Sequence, residues 1–204
     1  MKITQQVILK DQSPTVESKE IFPNLILIFG GSTTIQNHPI LPAIRQKFPT
    51  AIITGCSTSG EILKETVYDD SICITYIQFE KTTLLNECVA IHDASESEAA
   101  GKQLMSKFST DGLKHVFVLS DGLNVNGTQL VKGMRESLPE GVAVTGGLAG
   151  DGANFNQTYI LRGNGEVRKN AITAIGFYNP DLKVGYGSLG GWDTFGLDRL
   201  VTKS

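Results

Sequence analysis

Three cysteines, three histidines and one tryptophan in 204 residues leave little material for redox, metal or aromatic-cage chemistry. Cys56, Cys73 and Cys88 are odd in number and match no zinc spacing, so they read as reduced thiols of a cytoplasmic protein. His38, His92 and His115 lie far apart and share no ligand spacing, which gives a metal cluster no donor set. Positive charge is also in deficit. With 18 Lys and Arg against 21 Asp and Glu, the net charge is -3, and neither nucleic acid nor an anionic membrane surface is expected as a partner. The longest unbroken apolar run, Leu25 to Phe29, falls far short of the roughly 20 residues that span a bilayer. Met1 to Gln6 lack the continuous apolar core of a signal peptide, which again points to the cytoplasm.

Motifs of enzymes are missing as well. No lysine follows a glycine-rich loop in the Walker pattern, and there is no nucleophile elbow, paired-histidine motif or Cys-x-x-Cys. Two positions keep an enzymatic alternative open, Cys56 and Ser120, each at the predicted end of a strand where a hydrolase or transferase could carry its nucleophile. Cys56 has no histidine partner visible in the sequence, and a free cysteine commonly serves as a small packing residue.

What is present is the composition of a soluble globular chain, 40% hydrophobic and 19% charged, with 22 glycines. Its elements recur. Leu25 to Phe29 and His115 to Leu119 are short β-rich apolar runs 90 residues apart, each followed by a polar loop and a stretch of helical spacing. The helices, Pro39 to Phe48 and Thr128 to Leu138, both stop at a proline, Pro49 and Pro139. Next come short strands, Ala51 to Cys56 and Val142 to Gly147. Hairpins are predicted to follow: Ser71 to Ile77 with a strand near Thr83 to Ile91, and Asn170 to Gly176 with one near Leu182 to Gly187.

Four elements in one order at nearly constant offset predict a duplication, with pseudo-repeats at about 20–92 and 112–190. A helix over Ala94 to Phe108, N-capped by Ser95, would connect them. The expected fold is α/β: duplicated strand-helix-strand-hairpin halves forming a mixed sheet, or two packed sheets, covered by helices.

Four polar loops leave strand ends, Gly30 to Thr34, Gly55 to Glu61, Ser120 to Gly127 and Gly146 to Gly152, where open α/β sheets hold ligands. Ser57, Thr58, Ser120, Asp121, Asn126, Gly147 and Asp151 are therefore the candidate ligand-binding residues. Carboxylates beside hydroxyls and amides suit an ammonium or hydroxyl group, and glycine N–H groups can receive a carboxylate, so an amino acid is a chemically reasonable ligand. Against this stands a bland role for Asp121 and Asp151, each holding its own turn and facing bulk water.

Three stretches carry a family resemblance. Ile53-Thr54-Gly55-Cys56-Ser57-Thr58-Ser59-Gly60-Glu61-Ile62, Val118 to Gly127, and Val144-Thr145-Gly146-Gly147-Leu148-Ala149-Gly150-Asp151-Gly152 resemble the N-terminal FIST domain, over roughly residues 20–195. The resemblance implies a bacterial sensory module that binds a small ligand such as an amino acid, with residues 1–195 as the domain. Some members are haem-linked, so a haem-linked gas sensor is an alternative, with one histidine as axial ligand. Gly190 to Gly196 resemble the passage into the family's C-terminal domain, which makes 196–204 the start of a linker to that partner. Output would then pass to a histidine kinase, a diguanylate cyclase or a chemoreceptor.

Overall fold

The computed structural model describes residues 1–17, 21–187 and 202. Its strands are β1 (Lys2–Ile8), β2 (Leu25–Gly31), β3 (Ile52–Thr58), β4 (Glu61–Leu63), β5 (Thr66–Tyr68), β6 (Ile72–Gln78), β7 (Thr83–Ala90), β8 (Leu113–Ser120), β9 (Ala143–Leu148), β10 (Ile160–Leu161), β11 (Val167–Arg168) and β12 (Ala171–Tyr178). The helices are α1 (Ser32–Ile35), α2 (Ile40–Lys47), α3 (Ser97–Met105) and α4 (Gly127–Glu136). A six-stranded mixed sheet runs β1-β6-β2-β3-β10-β11, a four-stranded mixed sheet runs β7-β12-β8-β9, and β4 pairs with β5 alone. The fold is α/β with two packed sheets covered by helices.

Alternation along the central strands builds the layers. In β2, Ile26 and Ile28 turn outward to meet Ile40, Leu41 and Ile44 of α2, while Leu25, Leu27 and Phe29 turn inward. In β8, Val116 and Val118 face Leu104 of α3 and Leu130 and Met134 of α4, while Phe117 and Leu119 face inward to meet them. Both strands are apolar on both faces because each is covered twice, by helices outside and by the other sheet inside.

The same pattern occurs in each sheet. β2 is parallel to β3 and antiparallel to β6; β8 is parallel to β9 and antiparallel to β12. Register fixes the equivalences: Ile28 lies opposite Gly55 and Ile74, and Val118 opposite Gly146 and Ala174. A Cβ on Gly55 would sit 1.7 Å from the Ile28 carbonyl oxygen, and one on Gly146 would sit 1.7 Å from that of Val118. Only glycine permits these two close approaches.

Three expectations need correction. β6 and β7 do not form a hairpin, because both edges of β6 are already paired, with β1 and β2. β7 instead opens the second sheet beside β12, in the place that β1 holds beside β6. The expected strand at Leu182 to Gly187 is irregular chain. Lastly, Asp93, not Ser95, caps the turn ahead of α3: its carboxylate accepts the Ser95 N–H at 2.8 Å. The family passage at 190–196 and the predicted linker at 196–204 lie outside the described residues, except for Thr202.

Two predictions follow from this packing. Helices α3 and α4 touch through glycines, and a Cβ on Gly133 would lie 2.0 Å from the Glu98 carbonyl oxygen. Gly133→Ala should therefore cost about 1–3 kcal/mol, seen as a fall in melting temperature. Gly147→Ala, where an added Cβ meets nothing within 4 Å, should melt with the parent. The second concerns His115, which is buried with its Nε2 2.8 Å from Thr145 Oγ1 and its Nδ1 without a partner among the described residues. Burial holds its pKa below the ordinary histidine value, so the unfolded chain takes up the proton first. Stability from this group is complete above about pH 6.5 and falls as the pH drops below it. A urea midpoint that declines from pH 7.5 to 5.5, and declines less in His115→Gln, is the expected result.

Candidate functional site

Chain leaving the carboxyl ends of β3, β8 and β9 gathers at one end of the molecule. The Gly150 N–H donates to the Ser57 carbonyl at 2.8 Å, and the Ala149 N–H donates to the Ser120 carbonyl at 2.8 Å. The Gly122 N–H donates to Thr158 Oγ1 at 3.1 Å. The segment 149–161 then runs onto the first sheet, where β10 pairs antiparallel with β3, Ile160 opposite Cys56 and Leu161 opposite Gly55. This carries Asp151 of the second unit to Ser32, Thr58 and Glu61 of the first.

Between them lies a polar cavity of about 350 Å³, whose lining includes Ser32, Thr58, Glu61, Asp69, Asp70 and Asp151. A neighbouring space of about 500 Å³ shares Ser32, Thr33, Asp151 and Asn154 and adds Gln36, Asn156, Gln157 and Tyr159. Ser32 donates its hydroxyl to Asp151 Oδ1 at the boundary. Asp151 Oδ2 accepts the Asn156 N–H at 2.9 Å and the Gln157 N–H at 2.8 Å. Burial alone would raise this carboxyl, but those hydrogen bonds outweigh it and hold Asp151 below the ordinary aspartate range. Glu61 is buried and accepts from Thr58 Oγ1 at 2.5 Å and from Ser71 Oγ at 2.7 Å. Asp69 and Asp70 are exposed at the rim. Lys169 stands near the second space, bonded to Gln157 and 5.6 Å from the Tyr159 ring centre.

The seven residues singled out from sequence divide into three groups. Thr58 and Asp151 line the polar cavity. Ser120 and Gly147 line a separate open groove of about 780 Å³ beside β9. Ser57, Asp121 and Asn126 hold the backbone. Ser57 Oγ accepts the Tyr159 N–H at 2.9 Å. Asp121, buried, accepts the Leu123 and Asn124 N–H groups at 2.9 and 2.6 Å and the Thr158 hydroxyl at 2.7 Å. Asn126 caps α4 by accepting the Gln129 N–H at 3.1 Å. Ser32, Glu61, Asp69, Asp70 and Asn154 were not singled out. The acidic pair Asp69-Asp70 ahead of a strand was the signal that could have marked them.

Cys56 packs with Leu119, Ala149, Ile160 and Ala171, and burial pushes its thiol up to about 12, so it is the protonated, unreactive form at neutral pH. Among the histidines, His115 lines an apolar cavity of about 360 Å³ with Leu25, Phe79, Phe117 and Phe177. Its Nε2 is held by Thr145 and its Nδ1 is sealed within the protein, so no imidazole nitrogen is offered to an iron there. The residues of that cavity do not fit haem. No group of three or more His, Cys, Asp or Glu among the described residues could hold a metal ion. No described helix is long and apolar enough to cross a membrane.

No curated protein sequence matches the chain at a significant level. The family model described as FIST N domain matches residues 24–204, a span that takes in every residue of the polar cavity. The chain therefore belongs to the FIST N domain family, a family of sensory domains.

Proposed function

We propose that this domain is the ligand-binding half of a cytoplasmic bacterial sensor and takes a small polar metabolite with an ammonium group, an amino acid being the best fit. The observation that carries the reading is the cavity at the junction of the two units, whose lining has four carboxylates, Glu61, Asp69, Asp70 and Asp151, and no lysine or arginine, with Lys10 lying outside the lining 3.7 Å from Asp70 at the exposed rim. A cationic group is favoured there, and the hydroxyls of Ser32 and Thr58 and the amide of Asn154 supply further polar partners. On the far side, Gln157 and Lys169 can receive a carboxylate across the neighbouring space.

The location suits a sensor. The cavity has one wall from each unit, Ser32 and Thr58 from the first and Asp151 from the second, so an occupant that touches both walls favours one relative placement of the units. That change would be passed to a C-terminal FIST domain and on to a histidine kinase, a diguanylate cyclase or a chemoreceptor. Among the described residues the cavity lining has no histidine, lysine or cysteine, and two of its hydroxyls are held by carboxylates, Ser32 by Asp151 and Thr58 by Glu61, a set that favours binding.

Thermal melting across a panel of amino acids, their decarboxylated amines and their deaminated acids tests the proposal. A true ligand at about 100 times its Kd adds about 2.7 kcal/mol and raises the melting temperature by several degrees. The amines should retain part of the shift and the acids lose it. Asp69→Asn with Asp70→Asn should abolish the shift at unchanged basal stability, since both side chains are exposed. A panel without any shift, or shifts indifferent to that double substitution, would contradict the assignment. Asp121→Ala is expected to act in the opposite way: removal of a buried carboxylate with three donors should cost about 2–4 kcal/mol and leave ligand affinity in the surviving folded protein unchanged.

A further inference from the structure

The two units are equivalent in sequence order, yet among the described residues only one of them has the edge beyond its parallel strand pair closed. In the first, β3 is covered by the hairpin β10–β11, which the second unit contributes. In the second, β9 is the last strand of its sheet among the described residues, and Leu148 at its end is 52% exposed. An open groove of about 780 Å³ runs beside it, lined in part by Leu130, Val131, Val144, Gly146, Leu148 and Tyr186.

The first unit has its own counterpart of the closing hairpin. Hairpin β4–β5 stands between β3 and β6 as β10–β11 stands between β9 and β12, and the backbone repeats. Asp70 (φ 52°) matches Asn170 (φ 50°), and each hairpin turn holds one residue in the left-handed region, Lys64 (φ 56°) and Gly165 (φ 76°). Cross-strand pairing then equates Ile62 and Val67 with Leu161 and Val167. Leu161 is fully buried in the first core and Val167 packs against it. Their counterparts Ile62 and Val67 are each 66% exposed.

The receiving side repeats too. Arg45 of α2 clamps the seated hairpin, with Nε to the Asn164 carbonyl at 2.9 Å and Nη2 to the Gly163 carbonyl at 3.2 Å. Arg135 holds the same place in α4, four residues before Pro139 as Arg45 is before Pro49, and it is exposed with no side-chain partner among the described residues. On β3 the outward N–H groups include those of Ile53, which donates to the Gly163 carbonyl at 2.9 Å, and Ser57, which donates to the Tyr159 carbonyl at 2.8 Å. Their equivalents on β9 are Val144 and Leu148. One detail differs: Thr54 donates its hydroxyl to the Leu161 carbonyl, whereas its counterpart Thr145 is engaged with His115.

We infer that the β9 edge receives the β4–β5 hairpin of a second copy of this chain, reproducing between molecules the joint that β10–β11 makes with β3 within one. The internal joint supplies the template, and the exposed Ile62 and Val67 supply the apolar contact that it requires. The contact is heterologous, hairpin to edge, so every open assembly keeps one free hairpin at one end and one free edge at the other, and association continues past the dimer.

Sedimentation velocity and light scattering of the purified chain from 5 to 500 µM (order-of-magnitude limits for a moderate interface) test this. Mass should rise with concentration beyond that of a dimer. Ile62→Asp with Val67→Asp removes the hairpin's apolar contact, and Leu148→Pro removes an outward N–H at an edge position that tolerates proline. Each alone should weaken association at least about tenfold, with circular dichroism and melting confirming a folded chain. Mixing the two variants leaves one intact hairpin and one intact edge, so a 1:1 heterodimer that grows no further is the distinguishing result. A chain that stays monomeric throughout overturns the proposal and assigns the edge to another partner. A dimer indifferent to Ile62→Asp with Val67→Asp overturns it in favour of edge-to-edge pairing.

Discussion

Because Ile160 and Leu161 lie against Cys56 and Gly55, the second unit ends on the first unit's sheet rather than on its own. The loop that precedes β10 is drawn across the end of the molecule, and the positions of Gly150, Asp151 and Thr158 follow from where that strand is anchored. Ile160 also enters the layer between the sheets, beside Leu119 and Ala171, so the strand that closes an edge also joins two cores. The polar cavity exists because this joint brings an aspartate of one unit to the hydroxyls of the other. Burying the pair would be costly without donors; the Asn156 and Gln157 amides and the Ser32 hydroxyl provide them.

Much of this was legible in the sequence, for physical reasons that differ by element. Leu25 to Phe29 and His115 to Leu119 announce doubly covered strands because both faces are apolar, and Pro49 and Pro139 mark where the helices stop. β1 was not visible: as an edge strand it keeps Lys2, Thr4 and Gln5 in the chain and buries few side chains. β10 has two residues, too short for any periodicity, although its pairing organises the site. Proximity in sequence suggested that β6 would pair with β7. Competition for the edges of β6 by β1 and β2, which no local pattern records, decides otherwise.

The candidate residues show the same division between local and distant information. Loops at strand ends are a local signal, and it points to Thr58 and Asp151, which line the polar cavity. Whether a carboxylate faces a cavity or its own turn depends on partners far along the chain. Asp121 meets Thr158, 37 residues on, and is closed inside; Asp151 meets Ser32, 119 residues back, and stays at a cavity wall. Asp69 and Asp70 follow a hairpin whose presence the sequence did not disclose, and so went unmarked.

Sensing by this domain requires a ligand held between the two units, and amide hydrogen exchange of the chain with and without its best-stabilising amino acid measures this directly. Occupancy of the cavity predicts slowed exchange at residues 31–33, 58–61 and 150–157 together, one group from each side of the joint, with the β9 groove and the apolar cavity at His115 unchanged. Protection confined to one unit, or centred on β9 or His115, would contradict it.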